Sequence, residues 1–248
     1  MGEPLIQVKN MYKIYNPGEN EVHALDGVDL EINKGEFVAI VGHSGSGKST
    51  LMNMLGCLDE PTSGEYFLHG QDVSKLSDNE LSEIRNKEIG FIFQGYNLIA
   101  NLDAIGNVEL PLIYRGMGKR DRRKLSISAL KTVGLGDRIN HKPAEMSGGQ
   151  QQRVAIARAI AAQPPVILAD EPTGNLDSKS TKKIMEVLRG LYKSGRTVII
   201  ITHDDEIAEQ VRRVVRVKDG KIEADFYNEE IKPQTETSDI GNVTEEPK

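Results

Sequence analysis

The chain has 248 residues, of which 38% are hydrophobic and 27% charged, and its formal net charge at pH 7 is −6. These proportions are ordinary for a globular domain, and the acidic balance argues against a nucleic-acid partner. Cys57 is the single cysteine, which excludes an intrachain disulfide and a cysteine-rich metal site. Apolar runs such as 198–201 are far shorter than the roughly 20 residues that span a bilayer, and no secretory leader is visible. We therefore expect a cytoplasmic location.

The first predicted elements are half-exposed strands. Residues 5–8 are apolar except for Gln7, and residues 28–32 alternate between apolar and acidic side chains, a period typical of antiparallel strands with one buried face. Residues 64–68 are predicted to join them. The sequence thus predicts a small antiparallel β subdomain near the N-terminus.

A second kind of strand is apolar throughout and rich in branched residues. Such runs are typical of parallel strands that helices cover on both faces. The runs of this kind are residues 37–41, 89–93, 166–169 and 198–201. They predict an α/β core built on a parallel sheet.

The buried-strand pattern stops between residues 94 and 150. Residues 107–114 are mainly apolar but interrupted by Pro111, and the pattern of residues 120–132 predicts a helix with a basic start. We predict a helical subdomain at about 95–150, inserted in a single domain that spans 1–231. Residues 232–248 are rich in Pro, Thr, Ser and Glu and are predicted to form a flexible acidic tail.

A glycine-rich segment follows the first buried strand. Residues 42–49, GHSGSGKS, match G-x-x-x-x-G-K-[ST], the phosphate-binding P-loop. Its glycines let backbone N–H groups approach phosphate oxygens, and a helix predicted at 49–58 points its positive end at the same anion. Lys48 adds a charge near the β and γ phosphates, and Ser49 offers a hydroxyl to Mg²⁺. His43 occupies a variable position, so its side chain has no assigned role.

Two acids end the strand at 166–169. Because side chains at the carboxyl end of a parallel strand face the ligand crevice, Asp170 is suited to hold Mg²⁺. Glu171, its neighbour, is suited to polarise an attacking water as general base. Beside a P-loop, this pair predicts nucleotide hydrolysis.

A second glycine-rich helix start precedes that strand. Ser147 is a suitable N-cap, and the glycines of segment 147–150 leave backbone N–H groups open to an anion. Taken alone, such a start is most often an ordinary cap. The segment lies just before the acid-tipped strand, and in that position it resembles the signature motif of ATP-binding cassette (ABC) ATPases.

The resemblance covers about residues 5–226 and implies further roles. Gln94 stands at the family's Q-loop glutamine, residues 175–177 resemble the D-loop, and His203 resembles the switch histidine. Tyr15 stands where the family has an aromatic residue that stacks on adenine, although Tyr12 is close by. The fold implied is a P-loop NTPase with a RecA-like parallel sheet.

The predicted site follows from these motifs together, with ATP and Mg²⁺ as cofactors. The predicted catalytic residues are Glu171, His203 and Gln94. The predicted Mg²⁺ ligands are Ser49, Gln94 and Asp170. The predicted nucleotide-binding residues are Tyr15, Val22, Gly42, His43, Ser44, Gly45, Ser46, Gly47, Lys48, Ser49, Thr50, Ser147, Gly148, Gly149 and Gln150.

The resemblance also implies partners. Two cassettes of this family assemble head to tail, so that Ser147 and Gly149 of one copy contact the γ-phosphate held by Lys48 and Ser49 of the other. ATP closes this dimer and hydrolysis opens it. A separate membrane permease would be driven by the cycle, and the ATPase would lie on the inner face of the cell membrane.

Within the family, the likeness is to ATPases of lipoprotein-release, macrolide-efflux and antimicrobial-peptide transport systems. Residues 55–64, 84–86, 109–112 and 141–143 carry it. Gly106 departs from the pattern, since members usually have Glu there. Two alternatives share the catalytic motifs: a force-transmitting regulatory ATPase of the cell-division type, and a soluble scaffold ATPase.

Overall fold

The computed structural model describes residues 4–18, 20–229 and 231, so the predicted tail at 232–248 lies outside the described residues. Four strands form an antiparallel sheet with spatial order β2-β1-β4-β5. Their bounds are β1 Ile6–Tyr15, β2 Val22–Ile32, β4 Ser63–Leu68 and β5 Gln71–Asp72. The three predicted strands therefore do share one sheet, and the first two are longer than the pattern indicated.

Six strands form the second sheet, in the order β10-β9-β3-β8-β7-β6. The strands are β3 Phe37–Val41, β6 Ile89–Ile92, β7 Val166–Asp170, β8 Thr197–Thr202, β9 Arg213–Lys218 and β10 Lys221–Tyr227. Strands β9, β3, β8, β7 and β6 run parallel, and β10 pairs antiparallel with β9 at the edge. The predicted parallel core is confirmed.

Helices cover this sheet. They are α1 Lys48–Leu55, α2 Asp78–Glu88, α3 Ala104–Tyr114, α4 Lys119–Thr132, α5 Gly148–Ala161, α6 Ser178–Lys193 and α7 Asp205–Ala208. No helix among the residues that the structure describes is both long and apolar enough to cross a bilayer.

The parallel sheet separates two hydrophobic cores. Val38 and Ile40 of β3 face the core that contains the antiparallel sheet and α1, while Ala39 and Val41 face the core that contains α3 to α6. A strand with both faces buried has no polar positions, which explains the unbroken apolar runs. Helices α3 and α4 pack on α5; their assignment to a distinct subdomain at 95–150 stays a prediction.

Three local predictions differ from the structure. The helix predicted to reach residue 58 ends at Leu55, because the chain turns at Gly56 and Cys57 has a left-handed φ of 52°. Helix α3 continues through Pro111, where an interruption was expected. Strands β9 and β10 were missed, although the Asp219-Gly220 pair between them is a strong hairpin-turn signal.

Candidate nucleotide-binding and hydrolytic site

The P-loop connects β3 to α1, as the sequence predicted. The loop closes on itself through a hydrogen bond from Ser46 N to the His43 carbonyl (3.2 Å), and Leu51 N donates to the Gly47 carbonyl (2.8 Å) at the start of α1. A side chain at Gly47 would place its Cβ 2.4 Å from the Ala24 carbonyl oxygen of β2. The glycine is therefore required by the neighbouring strand as well as by its φ of 103°.

Lys48 is the buried cation of this loop. Its side chain is 8% exposed, and Nζ donates to the His43 carbonyl at 2.8 Å. Burial lowers the pKa of Lys48, while the negative charges of Glu171 and Asp170 oppose that shift. The ammonium thus lies between the loop that would hold phosphate and the two predicted carboxylates.

Asp170 is the last residue of β7. Its partial burial and the charge of Glu171 raise its pKa, and Lys48 acts in the opposite direction. An aspartate whose negative charge is disfavoured in this way would gain from a nearby cation. The environment therefore suits a metal ligand.

Glu171 has an unusual backbone and a fully engaged side chain. Its φ is 43°, in the left-handed region that non-glycine residues rarely adopt. Oε1 accepts from His203 N at 3.0 Å and lies 2.6 Å from His203 Nδ1, while Oε2 accepts from Thr202 Oγ1 at 3.1 Å. Because β7 and β8 are adjacent and parallel, their carboxyl ends bring these residues together.

A cavity of about 840 Å³ lies in front of the P-loop, within the range of small-molecule sites. The predicted residues that line it are Val22, His43, Ser44, Gly45, Gly47, Lys48, Ser49, Thr50, Gln94, Asp170, Glu171 and His203. Gly42 and Ser46 do not line it. Ser46 is fully buried behind the loop, and its Oγ has no partner among the described residues.

Tyr15 does not line the cavity but interacts with Thr50, which does. Its hydroxyl donates to Asp59 Oδ2 at 3.0 Å, and Lys13 Nζ lies 5.1 Å from the ring centroid. Partial burial and Asp59 raise the pKa of Tyr15. The ring is thus held at the edge of the cavity.

The cavity also has walls that the sequence analysis missed, namely His23, Ala24, Ile201, Asp219 and Gly220. Gly220 N donates to the Ser46 carbonyl at 2.9 Å, so the β9–β10 turn is hydrogen-bonded directly to the P-loop. The signal that was available is the Asp-Gly pair, which predicts a hairpin turn but not its contact with residue 46.

The donor set at the cavity suits Mg²⁺ bound together with phosphate. No group of three or more His, Cys, Asp or Glu side chains that would hold a metal occurs within the described ranges. Mg²⁺, however, is commonly bound by one or two carboxylates, a hydroxyl, water and substrate phosphates. Asp170 and Ser49 supply that carboxylate and hydroxyl.

The second glycine-rich helix start is built differently and lies elsewhere. Ser147 is exposed, and none of residues 147–150 lines the cavity. Ser147 Oγ accepts from Gln150 N at 3.3 Å, and Gln150 Oε1 accepts from Ser147 N at 2.9 Å, which forms a capping box. The N–H groups of Gly148 and Gly149 begin the helix, where no intrahelical acceptor exists.

Comparison with known proteins shows the family to which this chain is related. The family profile described as "ABC transporter" matches residues 25–174. An uncharacterized ABC transporter ATP-binding protein of Thermotoga maritima is 50% identical over 219 residues, which are 88% of this chain and 94% of that protein. This chain belongs to the ABC transporter family. Its described part has the fold of that family's ATPase cassette, as the resemblance implied.

Relatives of this ABC cassette include longer proteins. The macrolide export ATP-binding/permease protein MacB of Hyphomonas neptunium is 53% identical over 230 residues, which are 93% of this chain and 36% of that protein. The chain thus spans about a third of the length of the macrolide-export relatives that it matches. The likeness to the macrolide-efflux branch is confirmed.

Solved structures show the same cassette. A dimeric ATP-binding cassette in a post-hydrolysis state, bound to ADP and Pi, matches with a TM-score of 0.83 and 48% identity. The match covers 90% of this chain and 98% of that chain. A second dimeric structure, of a bacterial ABC transporter cassette, matches with the same TM-score and 49% identity.

Proposed function

We propose that this cassette hydrolyses ATP as a dimer and that the cycle drives a membrane permease on another chain. One observation carries the proposal. Lys48, Asp170 and the Glu171–His203 pair meet at one cavity, while the second anion-binding helix start, at 147–150, lies outside it. Because this helix start lies away from the cavity of its own chain, a second copy would have to bring it to the phosphate.

Different residues bind the phosphates and the metal ion. The P-loop amides and Lys48 hold the β and γ phosphates, for which Lys48 Nζ exchanges the His43 carbonyl for phosphate oxygen. Ser49 and Asp170, with Gln94, would hold Mg²⁺, and the bound ion would supply charge neutralisation at the phosphates.

Hydrolysis needs a base beside the γ-phosphate. Glu171 accepts a proton from the attacking water as the new P–O bond forms and the bond to ADP breaks. His203 Nδ1 lies 2.6 Å from Glu171 Oε1, so a His203 ring that carries a proton on Nδ1 donates a hydrogen bond to this carboxylate. His203 is 67% exposed, and it orients the carboxylate from the open side of the cavity.

The dimer completes the site. Ser147 and the amides of Gly148 and Gly149 of one copy would contact the γ-phosphate seated on Lys48 of the other. The matched solved cassette is described as dimeric and bound to ADP and Pi, which supports this arrangement. Homodimerisation is the simpler form, because one chain carries every motif.

A large groove supports the proposed permease contact and, with it, a position on the inner face of the membrane. The groove is about 1280 Å³ and lies between α2, β6, α3 and α5. Tyr114 is 82% exposed at its edge and Leu58 44%, while Arg115 and Arg158 line it. Exposed apolar surface of this kind marks protein-binding sites. The curated relatives are ATP-binding/permease proteins, which agrees with a membrane partner.

The proposal is tested by Glu171→Gln, which keeps the shape of the side chain and removes the base. We expect hydrolysis to fall by about a hundredfold or more, with ATP binding retained and the dimer trapped closed. Size-exclusion chromatography in ATP measures the dimer. A variant that binds ATP yet stays monomeric at every concentration contradicts the proposal.

The partner is tested separately by affinity purification from detergent-solubilised membranes. A permease that copurifies with the wild-type chain and is lost with Tyr114→Ala supports transport. A partner with a short external loop that binds a wall hydrolase favours the regulatory alternative. A chain that never copurifies with membrane proteins favours the soluble scaffold.

A further inference from the structure

Gln152 of α5 makes a contact that the mechanism above does not use. The side chain is fully buried, and Nε2 donates to the Pro172 carbonyl at 2.8 Å. Since a carbonyl only accepts, this contact fixes which end of the amide faces Pro172. The other end, Oε1, is buried and has no hydrogen-bond partner within the described part of the chain.

An unpaired buried oxygen is unfavourable for folding, because the group loses its water without a replacement. An apolar side chain of the same size would avoid that loss, but it would leave the Pro172 carbonyl without the donor that it has here. What the amide contributes is therefore a fixed Pro172 carbonyl.

Pro172 directly follows Glu171, whose backbone is strained. Glu171 has a φ of 43°, a conformation that persists only where the surroundings hold it. Glu171 N donates to the Ile201 carbonyl at 2.9 Å. The carbonyl of Glu171 accepts from Gly174 N at 3.1 Å, and the following carbonyl, that of Pro172, accepts from Gln152. The backbone around Glu171 is thus held by β8, by the turn to Gly174 and by α5.

Helix α5 also begins with the turn at 147–150. Gly149 packs closely on the start of α6, since a Cβ there would lie 2.5 Å from Ser180 Oγ. A Cβ at Gly148 would lie closest to Tyr96 Oη, at 2.8 Å, and in ordinary contact with Leu176 Cδ2, at 3.6 Å. The helix start and the glutamate are therefore joined within one chain, at Gln152 and again at the start of α6.

We propose that Gln152 is a positioning residue for hydrolysis: its amide holds the Pro172 carbonyl and so places Glu171 at a fixed position relative to α5. This rests on the proposed role of Glu171 as the base. In a head-to-tail dimer the start of α5 contacts the nucleotide of the other copy. Gln152 then connects that contact to the base of its own site.

The test is Gln152→Met, which keeps the length of the side chain and removes the donor. We expect kcat for ATP hydrolysis to fall by about tenfold or more, because a small displacement of a base has a large kinetic effect. KM is expected to stay within about twofold, since the P-loop is untouched. Gln152→Glu, which places a carboxylate against the carbonyl, serves as a second variant if the first folds poorly.

Tyr66→Phe is the matched control. Tyr66 Oη also donates to a carbonyl from a buried position, to Leu55 at 2.8 Å, but it lies in the other hydrophobic core. We expect it to lower Tm about as much as Gln152→Met and to leave kcat unchanged.

Three results overturn the proposal: an unchanged kcat in both Gln152 variants, a loss of kcat matched by Tyr66→Phe, or a KM that rises in step with the fall in kcat. Glu171→Gln is measured in parallel. If Glu171→Gln retains turnover, the proposed function itself fails. If Glu171→Gln loses turnover but both Gln152 variants keep the wild-type kcat, only the positioning role fails.

Discussion

The chain contains two glycine-rich helix starts, and their surroundings differ. The one at 42–49 faces a cavity with Lys48 buried beside two carboxylates, whereas the one at 147–150 is capped by its own side chains and lies outside that cavity. Both offer backbone N–H groups to an anion. The difference supports the proposal that one start serves the nucleotide of its own chain and the other that of a partner.

The strongest way to break this comparison is Ser147→Arg. We expect hydrolysis to fall by about a hundredfold or more, because a bulky cation would block the closed interface while each P-loop still binds ATP. ATPase assays and nucleotide-binding titration measure the two properties.

Mixing the Ser147→Arg variant with a Lys48→Ala variant tests the same contact more strictly. Lys48→Ala is inactive at its own P-loop, and Ser147→Arg is inactive at its partner's. A mixed dimer of the two contains one site with an intact Lys48 and an intact Ser147, so mixing is expected to restore part of the activity. If mixing restores no activity and Ser147→Arg alone is fully active, Ser147 does not act on the nucleotide of the other copy.

Tyr15→Ala tests the nucleotide side of the comparison. A stacked aromatic ring contributes roughly 0.5–1.5 kcal/mol, so KM for ATP should rise by up to about tenfold with little change in kcat. Tyr12→Ala is the control, since Tyr12 packs near Gly27 on β2. If only Tyr12→Ala raises KM, then Tyr12 and not Tyr15 contacts the base, and the prediction is wrong.

Thr202→Val tests the support of the base. It removes the hydrogen bond from Thr202 Oγ1 to Glu171 Oε2, and the loss of a bond to a charged group is expected to lower kcat by about tenfold or less. Thr202→Ser keeps the hydroxyl and should retain most of the rate. Equal rates for the valine and serine variants would show that this bond has no role in turnover.

Asp170→Asn is expected to have the smallest effect, a slight gain in the stability of the folded protein. The pKa of Asp170 is raised in the folded state, so folded protein binds the proton more tightly than unfolded protein, and stability falls as pH rises through that window. Removing the charge should raise Tm by about 2 °C at neutral pH without nucleotide, a small gain because the carboxylate is only partly buried. The gain should vanish at low pH, where the carboxylate is already protonated. Calorimetry that shows a lower Tm at neutral pH contradicts the prediction.

The regular parts of the fold were readable because their patterns are local. Residues 37–41 and 166–169 are apolar at every position, which only a strand buried on both faces requires. The hairpin of β9 and β10 was missed because Arg213 begins β9 and Arg216 interrupts its apolar residues. Arg213 is buried and paired with Glu36 and Asp225. A paired buried arginine looks like a surface residue in a sequence.

By itself, the sequence determined the P-loop, the acid-tipped strand and the family, because each depends on residue types at fixed spacing along the chain. The tertiary structure alone decided what lies across from them. It paired His203 and Thr202 with Glu171, placed Gly220 against the P-loop and joined Gln152 to Pro172. Those contacts join residues 20 or more positions apart, and only the packing of strands and helices brings such residues within hydrogen-bond distance.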